Sequence, residues 1–224
     1  MDFKQAWDDL HQLPQFRPVY PDDRMVAWSF RNLPRRDGRV REVLDIGCGA
    51  GRHALFYARE GYRASACDFS AVGVEETRRR AKEAGLEVAT KVCEADALDY
   101  PDASFDAALV FGTYTYLPLP RFEKAIAELH RVLRPGGKAM VVTRSTEDDR
   151  VADAELIGPS TWRITRASEG APSKVEIGMV MTFLEQADIK RIFSAFSRVL
   201  VDRHVFTYGG GAFSNVDWHI HAEK

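Results

Sequence analysis

Asp45, Gly47, Gly49 and Gly51 fall at alternate positions, and a second acid, Asp68, follows about twenty residues after the last glycine. Glycines so spaced let backbone N–H groups approach a ligand with no Cβ in the way. A helix starting directly after them aims its own free N–H groups at the same spot. A carboxylate at the tip of the next strand is suited to accept hydrogen bonds from the two hydroxyls of a ribose. The other reactive residue types show no comparable pattern. Cys48, Cys67 and Cys93 have neither metal-type spacing nor a disulfide framework, and read as small buried side chains. The six histidines form no His-Asp pair at a diagnostic spacing.

To hold the glycines and Asp68 in place the chain needs a strand, a turn, a helix and a second strand. Val43, Leu44 and Ile46 form a short apolar run suited to a parallel strand buried on both faces. Residues 52–60 fit the helix, with Gly61 past its end, and 63–67 the second strand. Ser70 reads as the N-cap of a helix over 70–84 that Gly85 ends, and 88–93 as strand three. Phe105–Phe111 is strand four and runs into Gly112-Thr113-Tyr114-Thr115-Tyr116-Leu117-Pro118. Residues 121–133 carry Phe122, Ile126, Leu129 and Leu133 on one helical face. Arg134-Pro135-Gly136-Gly137 then turns the chain into strand five, 138–143. A capping-box pattern at Thr182 and Glu185 opens a helix over 182–196, and Arg198–Tyr208 and 215–221 are the last two strands.

Two stretches lie outside this alternation. The leader 1–34 is too aromatic for a disordered tail, with Trp7, Phe16, Tyr20 and Trp28 among its large side chains, and contains two expected helices around Pro14, Pro18 and Pro21. The stretch 144–181 is too long to be structureless inside one domain, and 161–166 with 174–181 alternate as a hairpin would. Both are expected to cover the carboxyl edge of the sheet as a lid, with Arg17, Tyr20 and Arg144 touching cofactor or acceptor.

At 224 residues and 45% apolar content the chain suits one core rather than two. The expected division is a cap over 1–38, a cofactor-binding core over 39–143, an insert over 144–181 and a closing helix and hairpin over 182–224, all in one domain. A formal charge of -2 provides no global field for nucleic acid or an anionic membrane. No apolar run approaches a bilayer span and no signal-peptide core opens the chain, so a cytoplasmic protein is expected, with a homodimer open.

Asp45-x-Gly47-x-Gly49-x-Gly51 closely resembles the first motif of the class I S-adenosylmethionine-dependent methyltransferases, and differs from the Gly-x-Gly-x-x-Gly of nicotinamide dehydrogenases. Glu94-Ala95-Asp96-Ala97 and Leu133-Arg134-Pro135-Gly136-Gly137 are further points of likeness. The resemblance implies a doubly wound α/β sheet of seven strands in order 3-2-1-4-5-7-6, the last antiparallel, with helices on both faces. It implies S-adenosylmethionine as cofactor, with Asp45 near the ammonium group, Asp68 on the ribose and Asp96 on the adenine amine. Gly47, Gly49, Gly51, Phe69, Ala97 and Phe111 complete the expected cofactor site, with no metal. Methyl transfer to a small molecule is the implied reaction. Phe111-Gly112-Thr113-Tyr114 stands where nucleobase and glutamine methyltransferases carry an Asn/Asp-Pro-Pro-Tyr/Phe box, and that disfavours a macromolecular acceptor. Protein or RNA methylation and non-catalytic cofactor binding are the alternatives. Candidate groups around the acceptor are Tyr20, Tyr114, Tyr116, Arg144 and His204. His219 and His221 lie on a strand expected to run away from the active edge.

Overall fold

The aromatic leader folds as two helices, α1 (Phe3–Leu10) and α2 (Asp23–Asn32), with a 3-10 turn at Pro14–Phe16 between them. This computed structural model describes residues 3–34, 38–168 and 172–224. Asp22 caps α2, its carboxylate accepting the Arg24 N–H at 3.0 Å, which satisfies one of the helix's free donors. Met25 and Trp28 then pack with Val43, Tyr57, Leu109 and Met140 on one face of the sheet.

The core follows the alternating pattern of the sequence: β1 (Glu42–Ile46), α3 (Arg52–Arg59), β2 (Arg63–Asp68), α4 (Ala71–Glu83), β3 (Val88–Val92), β4 (Phe105–Phe111), α5 (Leu119–Val132) and β5 (Leu133–Ser145). β1 pairs in parallel with β2 on one edge and β4 on the other, so Asp45 lies beside Ala66 and Leu109. Both faces of this strand are covered, which is why it needs a near-continuous apolar run. Ser70 caps α4 as its spacing predicts, accepting the Gly73 N–H at 3.1 Å. β5 starts earlier than expected: Leu133 already pairs with Phe105, and the register shifts before Lys138 meets Ala107.

Beyond β5 the sheet continues with β10 (Phe213–Glu223), antiparallel to β5, and then β9 (Arg198–Tyr208), antiparallel to β10. The resulting order β3-β2-β1-β4-β5-β10-β9 is the expected seven-stranded one, with the final strand reversed between its neighbours.

The insert adds three strands, β6 (Ala154–Gly158), β7 (Thr161–Ile164) and β8 (Val180–Leu184). Arg144 of β5 pairs with Asp217 of β10 on one edge and with Phe183 of β8 on the other. β8 thus takes over the edge that β4 leaves after Phe111 meets Val142. β7 runs antiparallel to β8, as the alternation suggested, but 174–176 belong to a 3-10 turn at Pro172–Glu176 rather than to the strand. β6 pairs with β7 and was not foreseen. The capping box also moves. Thr182 and Leu184 complete β8, and Glu185 with Asp188 caps a shorter helix, α6 (Gln186–Ile192). The β-branched and aromatic content of 180–183 outweighs the cap pattern once β5 presents an open edge.

Candidate active site

A cavity of about 350 Å³ opens at the carboxyl ends of β1, β2, β4 and β5, within the size range of small-molecule sites. Its floor is the glycine turn. Gly47 has φ +72°, and a Cβ there would come within 2.1 Å of the Thr113 hydroxyl. Gly51, at φ +80°, precedes α3 and lies against Thr77 in the same way. Both need glycine, for conformation and for space.

Asp68 stands at the tip of β2 and lines the cavity. One carboxylate oxygen accepts the Gly49 N–H and the other the Ser70 N–H, each at 2.9 Å. Each oxygen keeps a second acceptor direction for a ligand hydroxyl. Burial raises the Asp68 pKa, opposed by those two backbone donors.

Asp45 is placed differently from the expectation. It does not line the cavity; its carboxylate accepts the Ala54 N–H at 3.1 Å and so caps the first turn of α3 from beneath. Burial pushes its pKa up to about 7. Gly51, Asp96 and Ala97 also stand outside the cavity lining, while Gly47, Gly49, Phe69 and Phe111 belong to it. Asp96 is clasped by Arg121, which donates to both of its oxygens at 2.9 and 2.6 Å. Glu94 and Ala95 form the wall there instead.

The acceptor candidates divide. Tyr116 and Arg144 line the cavity. Tyr116 donates its hydroxyl to Glu176 at 2.8 Å, and Arg150 donates to the same carboxylate at 2.6 Å. Burial first, and the Glu176 charge second, raise the Tyr116 pKa. Arg144 is turned to Asp217 at 2.8 Å. Tyr114 is a correction. Its side chain is 0% exposed, packed edge-on to Phe122 inside the main core, because neighbours two apart in a 3-10 turn point to different sides. Tyr20 is 83% exposed and His204 stacks on His219 at 3.9 Å; neither reaches the cavity lining.

Arg17 is a second correction to the expected lid. It ion-pairs with Glu76 of α4 at 3.7 Å, and Arg80 donates to the carbonyls of Arg17 and Pro18. The leader still covers the cavity, through Trp7, His11, Phe16 and Pro18. Among the described residues of the insert, Arg144 alone lines the cavity; Glu176 and Met181, with Phe183 just beyond it, back Tyr116.

Sequence reasoning missed His11 and Arg52, and read His53 as no more than a cover over the start of the helix after the glycine loop. His11 is buried against the glycine turn, its Nδ1 lying 3.1 Å from the Ser70 hydroxyl, which donates in turn to Asp8. Burial lowers its pKa, opposed by the charges of Asp68 and Asp8. His53 faces Phe111 at 5.1 Å, and burial pulls its pKa down to about 3, so it is neutral at ordinary pH. The Arg52 guanidinium lies 5.3 Å over the Phe111 ring, without an ion pair or hydrogen bond to the described residues. Only its position directly after the glycine motif hinted at it.

Residues 43–137 match the methyltransferase domain family. The chain is 36% identical to the methyltransferase GfsG of Streptomyces halstedii over 153 residues, 66% of this chain and 53% of that one. It is 40% identical to a fatty-acid O-methyltransferase of Mycolicibacterium smegmatis over 131 residues, 55% of this chain and 46% of the relative. The chain spans about half the length of the curated relatives it matches. Among solved structures, a methyltransferase of Methanosarcina mazei aligns with a TM-score of 0.67 at 22% identity, over 83% of this chain and 92% of that one. The 1,6-didemethyltoxoflavin-N1-methyltransferase of Burkholderia thailandensis, solved with bound S-adenosylhomocysteine, aligns with a TM-score of 0.68 at 18% identity, over 100% and 85%. These two likenesses speak for the fold. Residues 43–137 carry a match to a methyltransferase domain, and the glycine turn, Asp68 and the strand order are similar to those of the class I S-adenosylmethionine-dependent methyltransferases.

Proposed function

We propose that the protein transfers a methyl group from S-adenosylmethionine to a small-molecule acceptor. The observation that carries this reading is Asp68, whose two oxygens are each fixed by a backbone N–H and remain open towards a cavity floored by Gly47 and Gly49. Such a pair of acceptors fits a ribose diol. The turn beside it offers a tight approach without phosphate-binding spacing.

Bound S-adenosylmethionine would supply a methyl group on a positively charged sulfur, which leaves as a neutral thioether once displaced in line. The chain's own part is alignment and exclusion of water. Gly47, Gly49, Asp68, Phe69 and Phe111, with His11 above them, form the proposed cofactor half. Trp7, Phe16, Thr113, Tyr116, Leu117 and Arg144 form the acceptor half. Asp45, Gly51 and Asp96 act one layer behind, holding the turn and the wall in shape.

A cavity of about 350 Å³ and a formal charge of -2 support a small acceptor over RNA or a protein side chain. No helix among the described residues is long and apolar enough to cross a membrane. Three unpaired thiols, Cys48, Cys67 and Cys93, support a reducing compartment such as the cytoplasm. We read residues 1–224 as one methyltransferase domain that works as a homodimer without nucleic acid.

Titration calorimetry with S-adenosylhomocysteine and, separately, with NAD tests the cofactor. Micromolar binding of the first and none of the second is expected; the reverse overturns the reading. A panel of small hydroxyl, amine and thiol acceptors then separates enzyme from binder. Formation of S-adenosylhomocysteine with at least one is expected, and cofactor binding without turnover on any of them would favour a non-catalytic binding protein.

A further inference from the structure

We propose that two copies of this chain join along β9 into one continuous antiparallel sheet, in a register centred on Arg203. The proposal rests on the homodimer reading above and gives it an interface. β9 is 11 residues long and pairs on one edge with β10, from Arg198 opposite Glu223 to Tyr208 opposite Phe213. Among the described residues nothing pairs with its other edge. Native edge strands are usually guarded by a bulge, a proline, brevity or charge, and of these β9 carries charge, at Arg198, Asp202 and Arg203. Residues 198–208 contain no proline and run in unbroken register with β10. They also present Leu200, Val205 and Phe206 at 51, 49 and 63% exposure.

The register follows from symmetry and side-chain chemistry. A two-fold axis perpendicular to the sheet keeps each face on its own side, so facing residues must differ by an even number. A centre on Asp202 would set two carboxylates opposite each other, and one on His204 would set Asp202 against the partner's Phe206. A centre on Arg203 sets Leu200 against the partner's Phe206, Val201 against the partner's Val205 and Asp202 against the partner's His204. Each of these contacts occurs twice. The two central guanidinium groups need not collide, because each Arg203 donates to Glu147 of its own chain, its Nε lying 3.2 and 3.1 Å from the two oxygens. Asp202 uses one oxygen on His221 at 3.3 Å and is otherwise 66% exposed, so it has an oxygen to offer. Next to Leu200 a shallow groove of about 130 Å³, lined by Trp28, Asn32, Arg198 and His221 among others, provides room for the partner's Phe206 ring.

Sedimentation velocity and disulfide trapping test this. The 25.2 kDa chain is expected to sediment at twice its mass. The double variant L200C/F206C, oxidised with copper-phenanthroline, is expected to give a covalent dimer whose linked peptides contain positions 200 and 206. L200C and F206C alone are expected to give none at those positions, since each lies far from its own copy. F206K is expected to be monomeric with unchanged S-adenosylhomocysteine affinity. A monomeric wild type overturns the homodimer altogether. A dimer that the double variant does not trap, or that F206K leaves intact, overturns this interface while the homodimer stands.

Discussion

Gly49 donates its backbone N–H to a carboxylate oxygen of Asp68 at 2.9 Å, a single bond that ties the turn after β1 to the tip of β2. The acid that faces the cavity therefore also sets the shape of the turn beneath it. Asp68→Ala should remove two charge-assisted acceptors from a ribose, each worth about 1.5–3 kcal/mol, and free the Gly49 and Ser70 N–H groups. Affinity for S-adenosylhomocysteine is expected to fall at least tenfold by calorimetry. Asp68→Asn, which keeps one carbonyl acceptor, should lose less. Equal affinity in Asp68→Ala and the wild type would mean that the ribose is not held here.

Arg52 offers a different measurement. Its guanidinium faces the cavity over Phe111, and burial lowers its pKa with Asp22 and Asp45 opposing. It is the natural partner for the carboxylate of the cofactor's amino acid portion. Arg52→Gln should weaken S-adenosylhomocysteine several-fold and leave methylthioadenosine, which lacks that carboxylate, unaffected. A parallel loss for both ligands would assign Arg52 to the shape of the turn.

Asp45 and His53 pull stability in opposite directions with pH. Asp45 holds its proton to about 7 in the native state, against about 3.9 unfolded. Its contribution is full below the unfolded value and lost as pH rises through about 7. His53 refuses a proton down to about 3 when folded, against about 6.5 unfolded. Its contribution is full above the unfolded value and lost as pH falls toward 3. Between pH 4 and 6.5 the two slopes offset each other. Thermal melts should show Asp45→Asn gaining stability more steeply with rising pH in that window, and His53→Gln losing it. Unchanged slopes in both variants would refute the linkage.

Closure over the cavity should come from the leader alone. Hydrogen exchange with S-adenosylhomocysteine is expected to slow over 4–18, where Trp7, His11, Phe16 and Pro18 line the cavity, and to stay unchanged over 154–164. Equal slowing in both segments would restore the insert to the lid.

Tyr116 should prove to be a wall. Tyr116→Phe leaves Glu176 with one donor fewer beside Arg150, and loss of one buried hydrogen bond costs about 1–3 kcal/mol. Lower stability with an unshifted pH profile of turnover is expected. A profile that loses its alkaline limb would instead assign the hydroxyl a proton-transfer role.

Local regularities were legible in the sequence because they depend on neighbours a few residues apart. The apolar run at Val43 to Ile46, the glycines at 47, 49 and 51, the Ser70 cap and the exact extent of β4 all follow from backbone sterics and short-range burial. With the family resemblance they led to the strand order and the place of Asp68. Which side chains meet the cavity was decided only by packing between distant segments. Asp45 sits in the motif, yet its carboxylate is taken up by the N–H of Ala54. Tyr114 and Tyr116 are alike in sequence, and the 3-10 turn sends one against Phe122 and the other towards Glu176. Arg17 is drawn from the cavity by Glu76 on α4, and His11 is carried onto Gly49 by α1. These partners lie from 8 to 60 residues apart in the chain, so no local pattern could report them; burial and charge pairing chose among the alternatives once the sheet had formed.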